Sequence, residues 1–299
     1  MSSSTRPVLR PYAPTDLPAV LALIDEDRLP GQPQARAALL AEASRGSEEG
    51  DGTWWGAYEA PDILVAEDSA DGGITGVAAF ARRTKDGAGL IPWLHCREDP
   101  AVADALLAHA TAALSPYSVD AFPFATALTQ GLEGLPAGRR PQTHAALKRA
   151  GYTGERLWRY MRAPLPRPGL PRAEGVSVGP APDRGASQRL EVVRDGRSVA
   201  EAVIGHPVQG IGVLWWIEVD EEARGRGTGR ALLGSALEAL RGLGATQAVL
   251  YVDDDETPGG ERDRTAANRL YESAGFEEVD HLWSYTLAPG PPPPARERS

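Results

Sequence analysis

Arginine and glycine crowd together in Arg224-Gly225-Arg226-Gly227-Thr228-Gly229-Arg230. These residue types suit one chemistry, the holding of a phosphate. Guanidinium groups pair with its oxygens, and glycines let the backbone come close. Val213-Leu214-Trp215-Trp216-Ile217-Glu218-Val219, short and β-prone, precedes the run. The segment from Arg230 to Leu240 follows it, with apolar residues at helical spacing. A strand feeding a glycine-rich turn that opens a helix makes an anion site, because the first-turn amides lack partners and the helix dipole favours negative charge. No Gly-Lys-Ser/Thr follows, so the turn is not a P-loop. Its Gly-x-Gly-x-Gly also departs from the Gly-x-Gly-x-x-Gly of dinucleotide sites.

Other residues could carry chemistry nearby. Tyr271, in Leu270-Tyr271-Glu272-Ser273-Ala274-Gly275-Phe276, is either a proton donor or an aromatic packing its helix on the sheet. A phenol is protonated at neutral pH and can donate or share its proton. Strand alternation turns Glu218 away from Ile217 and Val219, so it acts through water or is the strand's outward polar residue. The same alternation puts Trp215 and Trp216 on opposite faces, with at least one in the core. Asp253 opens an acidic run to Asp263, which reads as a solvated loop or as an attractor of cations. His206 is a weaker candidate, and Cys96, the single cysteine, reads as packing.

Two signatures in order carry a family resemblance. Ile217-x-Val219 followed by Arg224, Gly227 and Gly229 resembles the acyl-CoA pyrophosphate loop of the GCN5-related N-acetyltransferases. Leu270-Tyr271-x-x-x-Gly275-Phe276 resembles a second signature of that family, after a strand at Ala248 to Val252. The resemblance implies acetyl-CoA, or another short acyl-CoA, as co-substrate, and no metal. It implies that the backbone around Ile217, Glu218 and Val219 binds the pantetheine arm. Arg224 and the amides of Gly225, Arg226, Gly227, Thr228, Gly229 and Arg230 would hold the pyrophosphate. It implies direct transfer in a ternary complex, with Tyr271 as general acid. Two departures matter. The glutamate that many members use as base would stand at Val213. Arg264 occupies the usual place of a cofactor-binding asparagine, leaving Asn268, one helical turn later, as the candidate.

The elements that must position these residues occur twice. Leu157-Trp158-Arg159-Tyr160-Met161-Arg162-Ala163-Pro164 recurs as Leu282-Trp283-Ser284-Tyr285-Thr286-Leu287-Ala288-Pro289, each after an Ala-Gly-aromatic turn. The proline-rich stretch from Pro164 to Pro171 reads as a stiff linker. The expected fold is therefore α/β (α+β): two tandem domains, each a mixed, mostly antiparallel twisted sheet flanked by helices. They would span 1–168 and 169–289, with a disordered tail at 290–299. In the first half we expect helices at Asp16 to Glu26, Pro33 to Ala43, Ala101 to Leu114 and Thr143 to Ala150. Its central strand would be Leu90 to Leu94. In the second half, strands Arg189 to Val193 and Ser198 to Ile204 should form a hairpin around Asp195-Gly196. The two helices that ordinarily cover the acceptor side are missing there, so the first half or a homodimer partner must supply that wall.

Aligning Ala105-Leu106-Leu107 with Ala231-Leu232-Leu233 sets Glu98 opposite Arg224 and Asp99 opposite Gly225, with Ala101 and Ala103 replacing Gly227 and Gly229. Carboxylates and β-carbons there predict a first half without coenzyme A binding. The net charge of -10, from 31 basic and 41 acidic residues, argues against nucleic-acid affinity. No apolar run is long enough to span a bilayer, and without an export signal the cytoplasm is the expected location. The sequence thus reads as an N-acetyltransferase acting on the amine of a small molecule, a cationic one if the acidic run recognises it, and working as a monomer or homodimer. The alternatives are a protein or peptide amine as acceptor, and a non-catalytic coenzyme A sensor.

Overall fold

A computed structural model describes residues 7–45, 56–181, 187–253 and 264–290. In the first half of the chain β1 (Val8–Pro11), α1 (Leu17–Glu26) and α2 (Ala37–Ala43) lead into β2 (Asp62–Glu67), β3 (Ile74–Arg82) and β4 (Gly89–His95). Then come α3 (Pro100–Leu114), β5 (Val119–Ala121), β6 (Leu135–Pro136), α4 (Pro141–Arg149) and β7 (Thr153–Pro164). The second half holds β8 (Val176–Pro180), β9 (Gln188–Arg194), β10 (Arg197–Ile204), β11 (Ile211–Val219), α5 (Thr228–Gly242), β12 (Gln247–Asp253), α6 (Thr265–Ser273) and β13 (Glu277–Leu287). Asp195 and Gly196 sit at the hairpin tip with φ of +52° and +76°, the left-handed pair that a tight two-residue turn requires.

All described strands join one sheet, in the order β1-β2-β3-β4-β5-β13-β7-β12-β11-β10-β9-β8, with β6 beside β13. The order contains an exchange. β13, which ends the second half, pairs with β5 of the first. β7, which ends the first half, pairs with β12 of the second. These two strands also pair with each other, antiparallel, from Glu277 opposite Arg162 to Thr286 opposite Thr153. Each half thereby completes the other's sheet, although the linker at 164–171 divides the sequence repeats.

One helix sets the core of each half. Leu106, Leu107 and Ala110 of α3 pack on Ile91 and Leu94 of β4, all fully buried. Leu232, Leu233, Ala236 and Leu240 of α5 pack on Leu214 and Leu250 in the same way. The linker crosses α5 where Gly234 leaves room, because a Cβ there would strike the Pro171 carbonyl.

The expected helix from Pro33 to Ala43 is shorter, beginning only at Ala37. The segment before it is bound to the second half instead. Gln34 N–H donates to Gln209 Oε1 (3.0 Å), and Gln209 Nε2 donates to the Gln34 carbonyl (2.9 Å). Gln32 Nε2 bonds the buried Tyr160 hydroxyl at 2.5 Å. Tertiary contacts here outweigh local helix propensity.

Candidate active site

β11 and β12 run parallel and pair only at Ile211–Gln247, Gly212–Ala248 and Val213–Val249. Beyond Val213 they diverge: β11 stays with β10 and β12 with β7. Among the described residues, the β12-facing edge of β11 through Ile217 and Val219 therefore has no strand partner. An extended ligand can take that place, as an added strand does. The Val219 carbonyl accepts Arg224 Nε at 2.9 Å, which draws that side chain back along the strand.

The loop from Arg224 to Gly227 is exposed. Gly225 and Gly227 take φ of +71° and +80°, and a Cβ on either would meet nothing within 4 Å. Gly227 is the N-cap of α5 and brings no side chain to the first-turn amides. Among the described residues no N-cap side chain satisfies those amides, and the positive end of a 15-residue helix lies behind them. Thr228 is buried with its hydroxyl near Arg194 Nη2 (3.4 Å), and Arg230 Nη1 donates to Ser273 Oγ (2.6 Å). Gly229 sits against Val219 and Leu270, joining loop, strand and α6.

At the corresponding turn of the first half the chemistry is closed. Asp99 caps α3, its Oδ1 accepting from the amides of Ala101 (2.8 Å) and Val102 (3.2 Å). Glu98 turns inward, where its Oε1 accepts from Arg140 Nε (2.7 Å) and Thr143 Oγ1 (2.6 Å), and its Oε2 accepts from the Gln142 amide (2.6 Å). Glu98 therefore acts through a buried ion pair and a cap on α4, rather than as a charge facing solvent. The gap between β4 and β5 holds a cavity of about 50 Å³, with Asp27, His95 and Arg140 in its lining. Burial opposes the Asp27 charge, but the His95 hydrogen bond and the Arg140 guanidinium hold its carboxyl below the usual range.

The remaining sequence candidates are placed as follows. Tyr271 on α6 is buried, edge-on to Phe276 at 5.9 Å. Burial pushes its phenol up to about 12, against the lowering effect of Arg264. Among the described residues its hydroxyl has no hydrogen-bond partner. Asn268 is 2% exposed, its Oδ1 accepting from Arg159 Nη1 (2.7 Å) and its Nδ2 donating to the Asp253 carbonyl (3.2 Å). That side chain fastens α6 to β7 and β12. Arg264 pairs with Asp253 at 3.0 Å. Residues 254–263 of the acidic run lie outside the described residues. His206 is exposed.

The two tryptophans of β11 differ from the alternating expectation. The register shifts so that Val203 opposes Trp216 and Ile204 opposes Leu214, leaving Trp215 as a bulge. A bulge changes which face the following residues take. Leu214, Ile217 and Val219 lie with the α5 core, whereas Val213 and Trp215 join Tyr251, Trp158 and Tyr160 on the opposite face. Trp216 and the exposed Glu218 share that opposite face, and Trp216 is 45% exposed, so neither tryptophan is fully buried.

Residues of the first half cover this same face. Gly131 lies over the point where β11 and β12 part, since a Cβ there would touch Val213 at 3.0 Å and Val249 at 3.5 Å. Leu29 and Leu132 pack with Val213 and Val249. Glu133 Oε1 accepts the Tyr251 hydroxyl at 2.6 Å. Tyr251 in turn meets Trp158 (5.3 Å) and Trp215 (6.4 Å), both edge-on. The wall missing from the second half is thus built by 29–34 and 129–133. The contact of Glu133 with Tyr251 had no signal in the sequence, because Glu133 stands in a stretch without periodicity or motif.

Comparison with known proteins agrees with the geometry. Residues 187–278 match the family model described as an acetyltransferase (GNAT) domain. A mycothiol acetyltransferase from Thermobispora bispora is 47% identical over 66 residues, 22% of this chain and 20% of that protein. One from Geodermatophilus obscurus is 40% identical over 77 residues, 25% and 22% of the two chains. The matched region thus spans only about a fifth of these relatives. Among solved structures, a tandem GNAT protein from the clavulanic acid biosynthesis pathway superposes with a TM-score of 0.66 at 17% identity, covering 96% of this chain and all of that one. A GCN5-related N-acetyltransferase from Sphaerobacter thermophilus gives 0.54 at 16% identity, over 96% and 97% of the two chains. At such identities the likeness is one of fold.

Proposed function

We propose that the chain is a GCN5-related N-acetyltransferase whose second half transfers an acetyl group from acetyl-CoA to the amine of a small molecule. One observation carries this reading: the first-turn amides of α5 are uncapped beside an open glycine loop, whereas those of α3 are closed by Asp99. The backbone of β11 through Ile217 and Val219 pairs with the extended arm of the donor. The amides from Gly225 to Arg230 take its pyrophosphate, with Arg226 adding charge. A backbone N–H of β11 polarises the acyl carbonyl as an oxyanion hole does. The amine attacks without a covalent enzyme intermediate.

Tyr271 serves the leaving sulfur. With its phenol at about 12, full proton transfer to a thiolate of ordinary pKa, about 8.5, is uphill. The hydroxyl therefore acts mainly as a fixed hydrogen-bond donor to the sulfur as it becomes anionic. The first half lends a wall and no second donor site. A small-molecule acceptor accords with the aromatic-lined face and with the mycothiol acetyltransferase relatives of the second half. A cytoplasmic location fits the supply of acetyl-CoA.

The test is release of free thiol from acetyl-CoA across a panel of small amines, amino sugars and peptides. Release with a small amine, above the rate of donor hydrolysis, is the expected result. Release with peptides alone would reassign the acceptor. Tight acetyl-CoA binding without release on any amine would replace the enzyme by a sensor.

A further inference from the structure

The strand position that ordinarily carries a base holds Val213, fully buried under Gly131. A carboxylate cannot work there, because it would be buried among Leu29, Leu132 and Val249 without a partner. Two residues beyond Gly131 the same loop brings in a carboxylate from the first half. Glu133 is half-buried and held by the Tyr251 hydroxyl at 2.6 Å. Tyr251 stands on β12 just past the last β11–β12 pair, so the carboxylate lies at the mouth of the gap. Trp158 and Trp215 enclose the Tyr251 ring, which fixes the phenol and through it the carboxylate.

Resting on the acyl-transfer reading above, we propose that the proton acceptor of the second half's reaction is Glu133, supplied across the sheet by the first half. Its carboxylate receives the acceptor's ammonium and takes one proton, which passes to solvent. The neutral nitrogen then attacks the thioester carbon; the C–N bond forms, and the C–S bond breaks with its electron pair going to sulfur. Of the three ammonium protons, one remains in the amide, one leaves through Glu133 and one ends on the coenzyme A sulfur. The arrangement also gives the first half a catalytic reason to persist without a donor site of its own. Glu218, exposed on β11, is the competing carboxylate.

The experiment measures kcat, KM and acetyl-CoA affinity for the full chain, on an amine that the wild type acetylates, alongside Glu133→Gln, Glu133→Asp, Tyr251→Phe and Glu218→Gln. We expect Glu133→Gln to lose at least about 100-fold in kcat, the usual scale for a removed general base, with acetyl-CoA affinity within about twofold. Glu133→Asp should recover part of that loss. Tyr251→Phe, which cuts the same tie but keeps the carboxylate, should retain more kcat than Glu133→Gln at an equal or larger drop in Tm. Glu133→Gln within about threefold of wild type would overturn the proposal while leaving the acyl-transfer reading intact. So would a Tyr251→Phe loss equal to that of Glu133→Gln, or a 100-fold loss in Glu218→Gln alone. A wild type that binds acetyl-CoA and acetylates no amine overturns both.

Discussion

Tyr271 is where local environment and chemistry meet most directly. Burial against Phe276 pushes its phenol to about 12, so it stays protonated across the range in which amines lose their protons. Tyr271→Phe should therefore lower kcat by about 10- to 100-fold, within or below the usual range for a lost proton donor, with little change in acetyl-CoA affinity. The alkaline side of the pH–rate profile should keep its shape in that variant, because no titration of Tyr271 falls below about pH 11. A profile whose alkaline limb disappears in Tyr271→Phe would contradict this. Tyr271 stands out in the sequence because it lies inside a compact motif. The tie that holds Asn268 does not, because it depends on Arg159, a residue 109 positions away and on the other side of the linker.

At the scale of elements, two equivalent helix N-termini diverge by a few side chains. α5 opens behind glycines in left-handed conformations with no cap, and α3 opens behind Asp99, whose carboxylate satisfies the amides an anion would use. Opposed carboxylates at Glu98 and Asp99 could be read from the aligned sequences. What they do instead of binding could not, since Glu98 depends on Arg140 and Thr143, some 40 residues on. The cluster around them has a pH signature. Burial pushes the His95 imidazole below its usual range, against the Asp27 hydrogen bond, and Asp27 is itself held low. Both groups bind fewer protons folded than unfolded, so stability is complete above the ordinary histidine value, about 6.5, and falls as pH drops toward the depressed Asp27 value. Urea midpoints measured from pH 7.5 to 4 should decrease on acidification, and His95→Gln should flatten the upper part of that decrease. A midpoint that rises between pH 6.5 and 5 would contradict the assignment.

The whole molecule is one sheet closed by exchanged strands, and this sets how its halves behave. The repeat and the proline linker were legible, and so were the approximate positions of most strands. The exchange was not, because β7 and β13 are near-copies and either could pair with β5 or β12 on local grounds. A fragment of residues 169–299 loses β7, leaving the apolar edge of β12 without Tyr160 and Met161. It should be insoluble or unfolded when expressed alone and recover when co-expressed with residues 1–168. A folded, monomeric fragment with native-like Tm would contradict the exchange.

The central claim is that one donor site, in the second half, is served by a wall from the first. Isothermal titration of acetyl-CoA into the intact protein tests it most directly, with Gly227→Val and Asp99→Ala beside the wild type. One site per chain is expected. Gly227→Val should bind at least about 10-fold more weakly, because a β-branched residue is strained at positive φ. Asp99→Ala should lose about 1 kcal/mol of stability through its missing cap and gain no second site. Two sites per chain, or a single site unaffected by Gly227→Val, would contradict it.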